Sequence, residues 1–389
     1  AGILSLVAAY LFDARYELKS DLYPANVCYN IALAFQRTAQ TQHYAETSKD
    51  FTFQAKNTRP EKNREVYVMV IGETSRAANW SIYGYNRNTN PELTKIKGLT
   101  AFSHVLTESN TTHKSVPMLM SSVTAHDFNS IYRQKGIITA FKEAGYRTAF
   151  FSNQRYNHSF IDFFGKGADI CDFIKEDTGN GGYNPSDDEL LKLVAAELAE
   201  NVSKQFIVLH TYGSHFNYRE RYPADNAFFL PDFPVDAELK YKDNLINAYD
   251  NSIRYTDNFL ARLIRMLQEQ DIDAAMLYTS DHGEDIFDDD RKLFLHASPV
   301  PSYYQLHVPF LIWMSEAYRK GYPVQYEAVC MNREKPVAGN ASVFHSMLSL
   351  GGIQTDYKED SLSVASKRYV TRPRYYLNDH NLPKLLDKI

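Results

Sequence analysis

Three short segments of this chain carry side chains that ligate metal ions, and each follows an apolar run. Gly72-Glu73-Thr74-Ser75 follows Val66 to Ile71. His210, then Gly213-Ser214-His215, ends the run from Gln205. Ser280-Asp281-His282-Gly283-Glu284 follows Ala274 to Thr279. One acidic residue after a strand is commonly a cap; three such sets are hard to explain as capping alone. Asp281 and His282 are adjacent, so a carboxylate and an imidazole reach one divalent ion from a single turn, and Gly283 removes the side chain that would crowd it. Mixed ligation by Asp, Glu and His suits zinc first and manganese second. Metal chemistry on an ester also needs a side chain that the ion can ionise. Ser109 to Pro117 is dense in hydroxyls and precedes Met118-Leu119-Met120. A hydroxyl opening a helix there would face free N–H groups and the positive end of the helix dipole. Thr111, Thr112 and Ser115 all fit this local pattern, which an ordinary N-cap would share.

The elements that must position these residues are legible as apolar runs. Val66 to Ile71, Arg147 to Phe151, Gln205 to His210, Ala274 to Thr279 and Val308 to Met314 read as strands buried on both faces. Asp187 to Glu200 reads as a helix with an acidic start. A stripe through Leu245, Tyr249, Ile253, Leu260, Leu263 and Leu267 reads as a long one, and Ser342 to Leu350 as another, closed by Gly351-Gly352. This alternation predicts an α/β fold, a mostly parallel central sheet with helices on both faces. Ligands then bind beyond the carboxyl ends of the strands, where the metal-ligating segments lie.

The rest of the sequence sets bounds. The 389 residues are 44% hydrophobic and 23% charged, a folded globular profile, and the net charge of -5 leaves no electrostatic footprint for nucleic acid. Ala1 to Phe12 is apolar but shorter than the roughly 20 residues of a spanning helix; it reads as the stub of a cut transmembrane helix. Ser20 to Arg37 reads as a helix on a membrane surface, and Gln40 to Arg64 as a linker. Residues 1–64 are therefore expected to be a membrane-proximal segment and 65–389 a catalytic domain. Cys28, Cys171 and Cys330 are far apart and allow one internal disulfide at most. Asp288-Asp289-Asp290 reads as a solvated loop, without the alternation of a calcium loop.

Taken together, Val70-Ile71-Gly72-Glu73-Thr74-Ser75-Arg76, Thr112 with Ser115-Val116-Pro117, His215, Asp281 to Glu284 and Leu295-His296 resemble, in type and order, the phosphoethanolamine transferases of the alkaline phosphatase and sulfatase superfamily. The resemblance runs from about Tyr67 to about Trp313. It implies an alkaline-phosphatase-like fold, with Glu73, Asp281, His282 and the Thr112 oxygen around one tight zinc and Thr112 as nucleophile. It implies that His215 and His296 bind the substrate phosphate or a second zinc, and it makes Asn110 and Lys114 candidate substrate contacts. It further implies phosphatidylethanolamine as donor, lipid A or another envelope glycan as acceptor, a phosphothreonine intermediate, and a place at the bacterial inner membrane facing the periplasm. The sequence departs from the pattern in one respect: the lipid A enzymes usually carry disulfides beside the nucleophile loop, and here Glu108-Ser109-Asn110 and Met118 flank it. A sulfatase would need a C/S-x-P-x-R segment, which is absent. A phosphoglycerol transferase, a phosphatase and an inactive binding module of the same fold are the other readings.

Overall fold

A computed structural model describes residues 23–60, 64–175 and 184–386. The chain divides into a smaller unit, residues 1–51 with 132–134, and a larger one, residues 52–131 and 135–389. In the smaller unit, helix α1 (Ala25–Gln42) carries Val27, Ile31 and Phe35 at four-residue spacing, all exposed. Ala1 to Phe12 lies outside the described residues. Among the described residues, no helix is long and apolar enough to cross a membrane.

The larger unit is built on a seven-stranded sheet. In chain order its elements include β1 (Glu65–Gly72), β2 (Leu99–Ala101), α2 (Thr112–Leu119), β3 (Arg147–Ser152), β4 (Ile170–Phe173), α3 (Asp188–Ala199), β5 (Lys204–His210), α4 (Lys242–Gln268), β6 (Asp273–Ser280), β7 (Phe310–Met314) and α5 (Gly339–Leu350). The spatial order is β2-β7-β6-β1-β5-β3-β4. The five strands from β6 to β4 run parallel; β7 is antiparallel to both β6 and β2. The alternation foretold the parallel strands. The antiparallel edge and the short strands β2 and β4 have no comparable signal. The last strand begins at Phe310, two residues after the predicted start, beyond Pro309, which has no N–H to give a ladder.

Every residue of β1 and β6 is buried, so helices must cover both faces. On one face Val66, Val68 and Val70 join the apolar stripe of α4 and Leu190, Leu191 and Val194 of α3. On the other, Tyr67 packs against Phe141, and Phe141 stacks on Phe206 at 3.7 Å between ring centroids. Register brings the chemistry to one edge: Ile71 is level with His210 and Gly72 with Ser280. Glu73, Thr211 and Asp281 thus leave three neighbouring strands side by side.

The opposite edge is closed by a polar clasp. Lys56–Asn57 pairs with Ile353–Gln354, and Arg59 follows. Its guanidinium lies 3.6 Å from the Tyr322 ring centroid and donates to the Tyr67 and Tyr318 hydroxyls at 2.6 and 3.0 Å. Buried Glu65 accepts from Tyr146 at 2.7 Å and Tyr67 at 3.3 Å, so a cation and a carboxylate are joined through a phenol. Removing one partner strands the other in a dry site. Arg59→Ala should lower stability by about 3 kcal/mol in urea unfolding. Arg59→Lys should recover only part of it, because a point charge cannot serve two phenols in a fork.

Candidate active site

Glu73, Thr112, Asp281 and His282 converge. The Thr112 Oγ1 lies 3.2 and 3.3 Å from the two Glu73 carboxylate oxygens and 3.1 Å from His282 Nε2. His282 Nε2 is 3.5 Å from Glu73 Oε1 and 3.3 Å from Asp281 Oδ2. His282 Nδ1 stands 2.9 Å from the Gly283 carbonyl, so that nitrogen carries the hydrogen and Nε2 presents a lone pair. Asp281 Oδ1 accepts the amides of Thr74 and His282 at 3.0 and 2.7 Å, whereas Oδ2, also buried, has no hydrogen-bond donor. Several acceptors therefore face one another with only two hydroxyl hydrogens among them, that of Thr112 and that of Thr74, whose Oγ1 donates to Glu73 Oε1 at 2.7 Å. Burial, then the charge of Asp281, pushes the Glu73 carboxyl well above its usual range, and burial drives His282 down to about 4. Glu73, Asp281 and His282 offer ligand atoms within 4.8 Å of one another. This donor set, buried and poor in protons, fits a divalent cation.

Local backbone geometry holds the ligands. Thr74 adopts a positive φ of 59°, costly for a β-branched residue by roughly 1–3 kcal/mol. Asp281 holds its amide, and its carbonyl accepts the Tyr249 hydroxyl at 2.7 Å. Gly213, with φ of 48°, lies against the Glu73 backbone, where a Cβ would come within 2.7 Å of the Glu73 carbonyl oxygen. At Gly283 a Cβ would fall 2.2 Å from the Tyr304 carbonyl oxygen. Neither position admits a side chain without displacing the ligand loops.

Thr112 is the first residue of α2, with Thr111 as N-cap. Of the three hydroxyls the local pattern left open, Thr112's is the one in the cluster. Ser115 Oγ donates to the Asp281 carbonyl at 2.5 Å, and Thr111 Oγ1 contacts Ser109 at 3.2 Å. No disulfide supports this loop: Cys28, Cys171 and Cys330 are all free thiols. Polar bonds take that place. The Asn340 side chain accepts from the Glu108 amide and the Thr107 hydroxyl and donates to the Ser115 carbonyl at 2.9 Å. The Thr107 Oγ1 also lies 2.7 Å from the Asp281 carbonyl, so its one hydrogen is shared between that oxygen and Asn340. Buried Glu108 accepts the amides of Ala125 and Ala341 at 3.1 and 2.7 Å, and burial nonetheless pushes it up to about 7.

His296 reaches the site on a hairpin, Asp285–Ile286 against Phe294–Leu295. Its ring centroid is 4.1 Å from that of His282, and its Nδ1 is 3.4 Å from Glu284 Oε2. His215 stacks on Tyr212 at 4.9 Å and donates from Nδ1 to the Phe216 carbonyl at 2.6 Å; burial lowers its pKa. His215 and Thr112 line one cleft of about 360 Å3, with Ser152, Gln154, Lys175 and Tyr212. Asn110 and Lys114 are engaged elsewhere. The Asn110 amide donates to the Ser298 carbonyl and the Gln305 side chain at 2.9 and 2.7 Å, tying down the segment after His296, and the Lys114 ammonium donates to the Asn378 carbonyl at 2.7 Å. Asp288 is not merely solvated: it pairs with buried Arg76 at 2.5 Å.

Sequence reasoning missed two carboxylates that hold the site. Glu284 was visible only as part of the Asp281 segment. Asp187, read as the acidic start of a helix, instead accepts the amides of Tyr212 and Gly213 at 2.8 and 2.9 Å and so fixes the loop that carries His215.

Residues 65–353 match the family described as sulfatase. The chain is 30% identical over 313 residues to the phosphoethanolamine transferase EptA of Escherichia coli (strain K12), covering 76% of this chain and 55% of that protein. It is 33% identical over 277 residues to the Kdo(2)-lipid A phosphoethanolamine 7''-transferase of the same strain, covering 70% and 47%. It thus spans about half the length of these relatives. The C-terminal periplasmic domain of EcEptC from Escherichia coli, solved in complex with Zn, has a TM-score of 0.78 at 23% identity, covering 86% of this chain and 96% of that one. The expected alkaline-phosphatase-like α/β fold is therefore present.

Two carboxylates buried together without a cation repel each other. Asp281→Asn keeps the oxygen that accepts the two amides and removes that repulsion. In the presence of a chelator it should raise unfolding stability by about 1–2 kcal/mol, while zinc should no longer raise its melting temperature. A lower stability in chelator would contradict this. Glu108 gives a second test. Its folded pKa is raised, so its contribution is fully present below the unfolded value of about 4.3 and is lost as pH rises through about 7. Melting scans should show stability falling over that window, and Glu108→Gln should flatten the fall.

Proposed function

The chain belongs to the sulfatase family, and on that premise we propose that it is the catalytic domain of a zinc-dependent phosphoethanolamine transferase, moving the group from phosphatidylethanolamine to lipid A or another envelope glycan. What supports this most directly is a threonine hydroxyl at a helix start, within 3.3 Å of Glu73 and His282. The C/S-x-P-x-R segment of a sulfate ester hydrolase is absent from the sequence. The named activities of the relatives agree with a transferase.

Glu73, Asp281 and His282 would hold the zinc, with Thr112 Oγ1 completing the set. When bound, zinc would supply positive charge that lowers the pKa of the Thr112 hydroxyl and stabilises negative charge developing on the phosphorus oxygens. Glu73, which accepts the Thr112 hydrogen in the free site, orients the oxygen for attack. Thr112 then attacks phosphorus as its hydrogen leaves, the phosphorus–oxygen bond to diacylglycerol breaks, and the departing oxygen takes up one hydrogen, balancing the one Thr112 lost. A phosphoethanolamine ester remains on Thr112. An acceptor oxygen then attacks the same phosphorus from the side opposite Thr112 and gives up its hydrogen, the phosphorus–Oγ1 bond breaks, and Thr112 regains one hydrogen in balance. The positive end of α2 favours negative charge at this point.

His215 and His296 bound the same space. Each has its Nδ1 directed to an acceptor, the Phe216 carbonyl and Glu284 respectively, which leaves Nε2 of each ring open to the site. That favours a second cation over a direct contact with a phosphate oxygen. In this reading the domain works at the periplasmic face of the inner membrane, beside its lipid donor.

Incubation with a fluorescent phosphatidylethanolamine should add phosphoethanolamine to the peptide holding Thr112, read by mass spectrometry. Thr112→Ala should retain one tight zinc and lose the label. Labelling of the variant at the unsubstituted rate would overturn the assignment of the nucleophile.

A further inference from the structure

The reaction occupies the Thr112 end of the cleft and leaves its other wall without a role. That wall is cationic. The Lys175 ammonium lies 3.3 Å from the centroid of the Tyr212 ring, and the Arg221 guanidinium 4.1 Å from it. His215 stacks on the same ring. Tyr212 is therefore a plate shared by two cations and a site histidine. Arg155 and Lys175 line the cleft that holds Thr112, and Arg221 lines the adjoining recess on Tyr212.

Gathering like charges in a partly dry cleft is unfavourable. Burial first, then Arg221 and Arg155, lowers Lys175 to about 8. The charges of Asp187 and Glu220 offset this only in part, because the neighbouring acids are engaged with other groups. The Asp187 oxygens accept the Tyr212 and Gly213 amides and the Asn153 side chain. Asp162 accepts the amides of Asn157 and Ser159. Glu220 pairs with Arg221 at 3.1 Å. Among the described residues, Lys175 has no carboxylate partner and no hydrogen-bond acceptor; its contact is the face of Tyr212, which holds a cation far more weakly than an anion would. A group arranged this way beside a reacting centre is suited to a charge that arrives with the substrate.

We propose that Lys175, with Arg155 and Arg221 around Tyr212, binds a phosphate group of the acceptor, a saccharide phosphorylated at a position away from the oxygen that attacks. This rests on the transferase reading above and deepens it. The phosphate docks on the Tyr212 plate, and the attacking oxygen of the same molecule is thereby brought to the phosphorus on Thr112. Arginine adds a planar fork matched to phosphate oxygens, and lysine a point charge. The wall acts in the second half of the reaction only.

The test uses the whole zinc-loaded chain and two acceptors, a hexosamine disaccharide with two phosphate monoesters and the same disaccharide with one. Labelling of Thr112 from phosphatidylethanolamine is followed separately from transfer to acceptor. The bisphosphate should have a KM about tenfold lower than the monophosphate, as expected for one charge-assisted contact. Lys175→Met should erase that preference while the rate of Thr112 labelling stays the same, and Lys175→Arg should keep it. An unchanged bisphosphate KM in Lys175→Met overturns the proposal. So does slower Thr112 labelling in that variant, which would assign the wall to the donor's phosphate. Absence of labelling in the unsubstituted protein instead overturns the transferase reading, and the acceptor site with it.

Discussion

Everything in the larger unit bears on one electrostatic problem: Glu73, Asp281 and His282 are buried with lone pairs converging and almost no hydrogen to place between them. Left alone, such a cluster would push its strand ends apart. The fold opposes this with geometry that leaves no slack. Central strands β1 and β6 are level to within their last residues, Thr74 is held in a left-handed conformation by Asp281 and Tyr249, and glycines at 213 and 283 let neighbouring backbone close in from two sides. Strain and repulsion of this kind would be relieved by a cation placed among the three side chains.

The loop carrying Thr112 shows how the same end can be reached with different chemistry. The disulfides that the family resemblance would place beside this loop are not found among the described residues. Here Thr107, Ser115, Asn340 and Glu108 form a buried polar lattice joining α2 to the start of α5 and to the carbonyl of Asp281. Each bond is modest by itself, but leaving any buried member without its partner costs about 1–3 kcal/mol. The lattice is therefore as exacting in geometry as a covalent tie while needing no oxidising step.

How much of this could be read in the sequence follows from the range of the interactions. Strands β1, β5 and β6 announce themselves as continuous apolar runs, because burial on both faces excludes polar residues. Glu73, Asp281 and His282 stand out because they follow those runs directly. Thr112 needed the family resemblance, since Thr111 and Ser115 are equal candidates locally. Asp187 and Asn340 were invisible in their active-site roles. Their partners lie 25 and more than 200 residues away in the chain, and nothing in the neighbourhood of either marks it as anything but a helix-end polar residue. Lys175 was missed for the same reason: its meaning comes from Tyr212, brought beside it by the pairing of β3 with β4 and β5. Patterns along the chain report burial. Partnerships across the fold do not leave a local trace.

The carbonyl of Asp281 receives hydroxyl hydrogens from Thr107 and Ser115, one on each side of Thr112, while the carboxylate of the same residue belongs to the ligand cluster. The Thr112 hydroxyl and the Glu73, Asp281 and His282 cluster are thus positioned from a common origin. The start of α2 and the end of β6 are therefore tied at a single carbonyl, so a substitution that moves one strand end displaces the helix start by the same contacts.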